Sequence, residues 1–333
     1  MNYSVIYIAA LVLTFLITVL VSRKLIPALK SRKMGQKILE IGPRWHKSKE
    51  GTPTMGGLAF IIACVIVTAA ASAYLIINGS FREAAPLIFT VLYSLCGGLI
   101  GLIDDSAKLR HHQNEGLTPP QKFLLQLVAA AFYIVAMTLY CGMTTVLHIP
   151  FTSVSIDLGF FYYVIAIILL SGISNAVNLT DGIDGLCSSV TLVIGAFFSL
   201  AAFFAFGAVD RSLAVLGALT VGSAAGFLVY NFYPARVFMG DTGSLFFGGL
   251  VAGCAFVINE PLIIVVCGII YIIETASVIL QVGYFKLTHG KRLFKMAPIH
   301  HHFEQCGWTE LKIVLVFSAV TVAACALSWL GIR

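Results

Sequence analysis

Two long apolar runs enclose the polar stretch Asn175-Ala176-Val177-Asn178-Leu179-Thr180-Asp181-Gly182-Ile183-Asp184-Gly185. The pattern predicts that one membrane-spanning helix ends here, that a tight turn follows, and that another span begins. The stretch contains two carboxylates and no Lys or Arg to pair them, and unneutralised acids at a bilayer edge cost free energy. Either these acids bind a divalent cation or a phosphate-bearing substrate, or Asp181 and Asp184 with their neighbouring glycines simply cap the two helices.

The composition is that of an integral membrane protein. Of the 333 residues, 59% are hydrophobic and 11% are charged, whereas soluble domains average about 25% charged residues. The eight cysteines lie mostly inside apolar runs and show no C-x-x-C spacing, which indicates small buried side chains rather than disulfides or a zinc site. The first apolar run is long enough to span a membrane and basic residues follow it, so we expect no cleavable signal peptide.

Ten apolar runs are candidate membrane spans, each of which needs about 20 apolar residues. They cover Tyr3–Val21, Gly56–Ile77, Pro86–Ile103, Phe123–Cys141, Phe161–Ile173, Ile183–Phe206, Leu213–Val229, Leu245–Ile258, Leu262–Tyr284 and Ile313–Leu330. The two shortest, the fifth and the eighth, are expected to extend into flanking residues. We therefore predict an all-α polytopic membrane protein with about ten transmembrane helices, forming a single domain over residues 1–333, with a small β-hairpin in loop 142–160 on the outer surface.

The distribution of basic residues predicts the orientation. Ten spans place loops 22–55, 104–122, 174–182, 230–244 and 285–312 on one side, and 18 of the 21 Lys and Arg residues lie in these loops. By the positive-inside rule this side is cytoplasmic and both termini lie outside. The same side receives Asp104-Asp105, Asp181, Asp184, Asp241 and the triplet His300-His301-His302, so a helix bundle could gather them into one cleft.

The pair Asp104-Asp105 closes the third span. Neighbouring side chains diverge on a helix, so we expect one carboxylate to face the cleft and the other to cap or orient. The alternative is a solvated helix end paired with Lys108 or Arg110. Lys122 lies in the first turn of the fourth span, which is unfavourable for the helix dipole unless an anion binds there.

The segment Phe238-Met239-Gly240-Asp241-Thr242-Gly243-Ser244 surrounds one carboxylate with glycines and hydroxyl residues just before a helix. This layout suits phosphate and Mg²⁺ together, although an ordinary helix cap would use the same residues. Asn231, shortly upstream, is a further polar candidate. The segment Gly51–Gly57, which contains Thr54, is either a simple turn at a helix start or a phosphate or sugar site with Lys49 as a point charge.

Three consecutive histidines at 300–302 cannot all bind one metal ion because neighbouring side chains diverge, so a zinc site is not expected. One or two of them could donate hydrogen bonds to a diphosphate. The basic residues before them (Lys286, Lys291, Arg292 and Lys295) alternate with apolar ones and predict an amphipathic surface helix on anionic lipid. Glu274 is the single acid deep in a span, which makes it a functional candidate, but the sequence shows no partner for it.

Five motifs, in this order and spacing, together resemble one enzyme family. They are Gly51–Gly57, Asp104-Asp105, Asn178–Gly185, Phe238–Ser244 and Pro298–Glu304. The aspartate loops are similar to those of the polyprenyl-phosphate N-acetylhexosamine-1-phosphate transferase superfamily. The histidine triplet after Ala-Pro-Ile resembles the phospho-N-acetylmuramoyl-pentapeptide transferase (translocase I) branch, and the resemblance covers essentially the whole chain.

The resemblance implies an activity and its partners. An enzyme of this family transfers phospho-MurNAc-pentapeptide from UDP-MurNAc-pentapeptide to undecaprenyl phosphate and yields lipid I and UMP. It implies a Mg²⁺ requirement, a multi-pass location in the bacterial plasma membrane with the site facing the cytoplasm, and a homodimer. The formal net charge of +6 is explained by the position of the basic residues in loops on one side, so we expect no nucleic-acid partner.

The resemblance also implies roles for individual residues. Asp241, with Asn178, would bind Mg²⁺, and Asp104 would be the base for the lipid phosphate with Asp105 in support. The candidate catalytic residues are thus Asp104, Asp105, Asp241 and His300. The candidate substrate-binding residues are Lys49, Thr54, Lys108, Lys122, Asn175, Asn178, Asp181, Gly182, Ile183, Asp184, Asn231, Phe238, His301 and His302.

Alternatives remain open at this point. The lipid phosphate could attack the nucleotide directly, or an aspartyl-phosphate intermediate could form first. A related transferase could use UDP-GlcNAc, against which the histidine motif argues. An ion-coupled transporter would place acids at mid-membrane, whereas here all but Glu274 lie at one end, and a non-catalytic scaffold would not need these acid- and histidine-bearing loops on one face.

Overall fold

The apolar runs fold as helices because backbone polar groups inside a bilayer must satisfy their hydrogen bonds within the segment. A computed structural model describes residues 3–31, 49, 51–110, 116–205 and 210–332. Among these residues, ten helices are long and apolar enough to cross a membrane, so the prediction of a ten-span, all-α membrane protein is confirmed. The elements are α1 Tyr3–Ser31, α2 Gly57–Asn78, α3 Phe81–Arg110, α4 Pro119–Cys141, β1 Val146–His148, β2 Ser155–Asp157, α5 Phe160–Thr180, α6 Leu186–Phe204, α7 Arg211–Asn231, α8 Gly240–Val257, α9 Ile263–Cys267, α10 Ile269–Leu287, α11 Ile299–Gln305 and α12 Glu310–Trp329.

Several helices run further into polar sequence than the apolar runs predict. As expected for such short apolar runs, the helix of the fifth span continues to Thr180, and the helix of the eighth span begins earlier, at Gly240. Helix α3 continues past Ile103 through both aspartates to Arg110. The predicted end at Phe206 and the basic residues Arg32, Lys33, Lys37, Arg44 and Lys47 lie outside the described residues.

The ninth predicted span is divided. It is interrupted at Gly268, which separates the short α9 from α10. A Cβ atom at this glycine would lie 2.6 Å from the Ile264 carbonyl oxygen, so only glycine fits the break without a shift of the backbone.

The predicted hairpin is present between α4 and α5. Strands β1 and β2 pair antiparallel, with Val146 opposite Asp157 and His148 opposite Ser155. The carboxylate of Asp157 accepts hydrogen bonds from Thr145 Oγ1 at 2.6 Å and from the Gly159 N–H at 3.0 Å. These contacts stabilise the hairpin, and none of them involves a candidate catalytic or substrate-binding residue.

The predicted amphipathic surface helix around Lys286–Lys295 is wrong. Helix α10 ends at Leu287, and residues 288–298 form turns and bends. His289 and Gly290 both take positive φ values, 52° and 113°, which a helix does not allow. Gln281 Oε1 accepts hydrogen bonds from the backbone N–H groups of Leu293 at 3.0 Å and Phe294 at 2.8 Å. The segment therefore folds back on α10.

The centre of the bundle is α8, which packs closely against α3 and α5. Glycines make this approach possible, as is common where helices meet in a membrane. A Cβ atom at Gly249 would lie 2.7 Å from Ser94 Cα, and one at Gly248 would lie 2.6 Å from Ser174 Cα. At Gly101 of α3 a Cβ atom would lie 2.2 Å from the Asp241 carbonyl oxygen. The last turns of α3 are therefore locked against the first turn of α8.

Candidate active site

Three carboxylates meet where α3 ends and α8 begins. Asp104, Asp105 and Asp241 each contribute an oxygen, and these oxygens all lie within 4.8 Å of one another. Asp104 and Asp105 are buried and Asp241 is half-buried. We call this group the carboxylate cluster. It results directly from the close α3–α8 contact at Gly101.

The two neighbouring aspartates of α3 have different partners, as their divergence on a helix predicts. Asp105 caps α8: it accepts hydrogen bonds from the backbone N–H groups of Asp241 at 3.2 Å and Thr242 at 2.9 Å, and from Thr242 Oγ1 at 2.7 Å. These backbone donors have no partner inside the helix. Asp105 therefore holds the first turn of α8 in place, while Asp104 is left to face Asp241.

Two lysines neutralise part of the cluster. Lys108 Nζ lies 2.7 Å from Asp104 Oδ2 and 2.9 Å from Asp241 Oδ2. Lys122 Nζ lies 2.7 Å from the same Asp241 oxygen, which explains a cation at the start of α4. Three carboxylates and two ammonium groups leave one formal negative charge when all are ionised.

Asn178 joins the cluster from α5. Its Nδ2 donates to Asp241 Oδ1 at 2.8 Å and to Ser244 Oγ at 2.7 Å. A set of carboxylate oxygens with a side-chain amide is the kind that Mg²⁺ and Ca²⁺ bind. The donor set at Asp104, Asp241 and Asn178 therefore fits a hard divalent cation.

Asp181 lies in the turn after α5 and is half-buried. Burial, and then the negative charges of Asp241, Asp105 and Asp184, raise the pKa of Asp181 well above its usual range. No described residue donates a hydrogen bond to its carboxylate. Within the described part of the chain, Asp181 therefore has no salt-bridge partner.

A second group of charges lies on the other side of the same turn. Lys49 Nζ lies 2.7 Å from Asp184 Oδ1 and 2.6 Å from Glu310 Oε2. Glu310 Oε2 also accepts the Asp184 N–H at 3.0 Å, and Asp184 Oδ2 accepts the Ala235 N–H at 2.8 Å. The stretch itself contains no Lys or Arg, and the positive partner of Asp184 comes from a distant segment of the chain. Sequence analysis also missed Glu310, although an acid in the first turn of the last span was a visible signal.

The turn before α2 docks on the segment before α8. Phe238 N–H donates to the Pro53 carbonyl at 2.8 Å, and the Gly56 N–H donates to the Phe238 carbonyl at 2.8 Å. Thr54 is buried beside Gly240, where a Cβ atom on that glycine would lie 2.9 Å from Thr54 Oγ1. This turn therefore forms one wall of the carboxylate cluster.

The three histidines have three different environments. His300 is fully buried, and its Nδ1 lies 3.0 Å from Glu274 Oε2, so the expectation that Glu274 lacks a partner is wrong. His301 Nδ1 contacts Glu304 Oε2 at 2.6 Å, and His302 Nδ1 accepts the Lys295 N–H at 3.1 Å. That one or two of them contact a diphosphate stays a prediction.

Four other candidate substrate-binding residues are hydrogen-bonded to, or buried by, other residues of the chain. Asn175 Nδ2 donates to Gln126 Oε1 at 2.6 Å. Asn231 is buried, accepts from Ser188 Oγ at 3.2 Å and donates to the Val237 carbonyl at 3.0 Å. Ile183 is buried and Phe238 half-buried. Their roles in substrate binding stay predictions.

The segments that carry these residues form one continuous site. Asp105 contacts the start of α8, Asn178 reaches Asp241, Lys49 reaches Asp184, and Gly182 packs on His300. The prediction that five loops distant in sequence meet at one place is confirmed.

Comparison with known proteins gives two family matches and close relatives. The family model of glycosyl transferase family 4 matches residues 86–259, and the signature 1 model of the phospho-N-acetylmuramoyl-pentapeptide-transferases matches residues 49–61. A phospho-N-acetylmuramoyl-pentapeptide-transferase of Clostridium perfringens is 45% identical over 97% of this chain and 95% of its own length. Those of Clostridium acetobutylicum and Staphylococcus aureus are 45% and 43% identical, over 98% and 97% of this chain and 98% of their own length each.

Proposed function

The chain belongs to the phospho-N-acetylmuramoyl-pentapeptide-transferase family, and we propose that it transfers phospho-MurNAc-pentapeptide from UDP-MurNAc-pentapeptide to undecaprenyl phosphate, with UMP and lipid I as products. The observation that carries the proposal is the carboxylate cluster with its two lysines at one end of a membrane-spanning bundle. Phosphoryl transfer needs mainly positioning and charge neutralisation, and little covalent chemistry from the protein.

The metal proposal concerns the same cluster. Asp241 and Asn178 would hold Mg²⁺, because carboxylate and amide oxygens fit a hard cation. When bound, the ion would offset the repulsion between two phosphate groups and make UMP a better leaving group. Lys108 and Lys122 would bind phosphate oxygens in place of Asp241.

The chain's own residues support direct attack by the lipid phosphate. One of its oxygens would form a bond to the sugar-linked phosphorus of the nucleotide, and the bond from that phosphorus to the UMP oxygen would break. Asp104 faces the cluster and would accept the proton of a singly protonated lipid phosphate, while Asp105 is occupied as the cap of α8. Trapping a phosphorylated enzyme with nucleotide-sugar alone would contradict this scheme and support the aspartyl-phosphate route.

The nucleoside pocket is proposed at Lys49 and Asp184, with Gly182, Ile183, Asn231 and Phe238 as the other lining candidates. Glu310 supports both charged residues, since one of its oxygens accepts from Lys49 Nζ and from the Asp184 N–H. Glu310 would therefore hold Lys49 and Asp184 in position in the proposed pocket.

Glu310→Gln is expected to raise the KM for UDP-MurNAc-pentapeptide about tenfold and to leave kcat within about twofold. The amide keeps an acceptor but removes the charge that holds Lys49, and a charged hydrogen bond contributes about 1.5–3 kcal/mol. Initial-rate measurements of UMP release would check this. Glu83→Gln is the matched control, because Glu83 pairs with Arg211 at the start of α7, away from the site. An unchanged KM in the Glu310 variant would remove Glu310 from the pocket.

We also propose the orientation and assembly that the sequence predicts. The basic loops and the positive-inside rule support a site on the cytoplasmic side of the bacterial plasma membrane, where a soluble nucleotide-sugar is available. A homodimer remains a proposal from family resemblance, to be measured as the mass of the detergent-solubilised protein.

The experiment that tests the function is release of UMP by the purified protein in detergent. Release is expected only when UDP-MurNAc-pentapeptide and undecaprenyl phosphate are both present, with lipid I formed in equal amount. UDP-GlcNAc in place of the pentapeptide nucleotide is the control for the related transferase, and faster release from it would overturn the substrate assignment.

A further inference from the structure

Glu274 of α10 is a buried acid that the mechanism above does not use. Its side chain is 0% exposed, and an acid inside a membrane-spanning helix is costly unless it has a partner. The partner is His300 of α11, whose Nδ1 lies 3.0 Å from Glu274 Oε2 and whose side chain is also 0% exposed. The two residues form a Glu274–His300 pair that is closed off from solvent.

The other edge of the His300 ring faces the substrate loop. A Cβ atom at Gly182 would lie 2.2 Å from His300 Nε2, so the ring packs directly against this glycine. The Nε2 atom is buried and has no hydrogen-bond partner among the described residues. Such atoms are uncommon in native proteins, where a protein group, an ordered water or a ligand usually satisfies them. Gly182 lies between Asp181 and Asp184, so the ring contacts the loop that carries both acids.

We propose that Glu274 is a positioning residue for the transfer reaction, acting through His300 on the loop 181–184. The carboxylate fixes the ring at Nδ1, and the fixed ring sets the position of Gly182 and, with it, the backbone that carries Asp184. In this arrangement the buried His300 ring packs against the loop. Its Nε2 atom can then form one hydrogen bond, either with the loop or with phosphate groups bound by the loop. The inference rests on the proposed function, because the loop forms part of the proposed nucleotide site.

Two substitutions at Glu274 separate positioning from a structural role. Glu274→Leu removes the acceptor and is expected to raise the KM for UDP-MurNAc-pentapeptide about tenfold, with the KM for undecaprenyl phosphate unchanged within about twofold. Glu274→Gln keeps a carbonyl that accepts the Nδ1–H and is expected to restore the KM to within about threefold of wild type. The measurement is initial-rate UMP release with each substrate varied in turn, alongside the thermal unfolding midpoint.

The control is Ser277→Ala on the same helix, whose hydroxyl donates to the Glu274 backbone carbonyl at 2.6 Å. It should change neither KM. Where Glu274→Leu does not fold, Gly182→Ala tests the same contact from the loop side and should raise the same KM. Equal changes in both KM values, a lowered unfolding midpoint alone, or a Glu274→Gln variant as impaired as Glu274→Leu would each overturn the proposal. An inactive wild type would instead overturn the proposed function, and this inference with it.

Discussion

Asp241→Asn is expected to lower the rate of UMP release about a thousandfold while the protein still folds. Asp241 is the point at which the site's parts meet: it pairs with Lys108 and Lys122 and accepts from Asn178. The amide keeps the shape of the side chain but removes one negative charge from the proposed metal site. Loss of one preorganised electrostatic group costs about a hundredfold to a thousandfold in other enzymes, and here the two lysines and the proposed cation would lose a common partner.

The measurement is UMP release at saturating substrates over a series of Mg²⁺ concentrations. If Asp241 is a metal ligand, the variant's residual rate should need more Mg²⁺ for half-maximal activity than the wild type needs, and chelation should abolish the wild-type rate. Asp157→Asn is the control, because it is the same substitution at an exposed carboxylate of the β-hairpin. A variant that turns over at near wild-type rate would show that Asp241 does not hold the metal.

Hydropathy was sufficient to predict the ten spans, but it could not predict which of the polar residues beside each span belong to the helix. Helix α3 passes through Asp104 and Asp105 because both carboxylates have partners: Asp105 accepts hydrogen bonds from the start of α8, and Asp104 pairs with Lys108 one turn later on α3. A rule that ends a span at the first acid therefore placed the site in a loop, whereas the structure places it on the rigid ends of two helices.

The pairs that build the site could not be predicted from the sequence, because they join residues far apart in the chain. Lys49 and Asp184 are 135 residues apart, and Lys49 and Glu310 are 261 apart. No periodicity within one segment reports such a contact. Glu274 seemed isolated for the same reason: its partner lies on α11, beyond a segment whose fold depends on contacts of the Gln281 side chain. The distribution of basic residues was the available signal: it predicted that these loops lie on one side of the membrane, but not which residues pair.

Gly101→Ala is expected to lower the rate of UMP release about a hundredfold and to reduce the thermal unfolding midpoint. The new Cβ atom would lie 2.2 Å from the Asp241 carbonyl oxygen and 2.5 Å from the Thr242 nitrogen. Both contacts are with backbone, so no side chain can rotate away, and α3 must separate from the first turn of α8. A misplacement of about 1 Å in an active site can cost about a hundredfold in rate. The measurement is the same rate assay on folded variant protein.

Gly98→Ala, one turn earlier on α3, is the matched control. Its Cβ atom would meet the end of the Ile61 side chain at 3.2 Å and other atoms at 3.5 Å, which a small rotation of that side chain relieves. The two variants add the same methyl group to the same helix, and they differ in whether it meets the backbone that carries Asp241. If both lose activity equally, crowding of α3 in general is the cause. If only Gly101→Ala loses activity, the close contact between α3 and α8 is what positions the carboxylates. The site would then depend on the distance between the ends of these two helices more than on the surrounding loops.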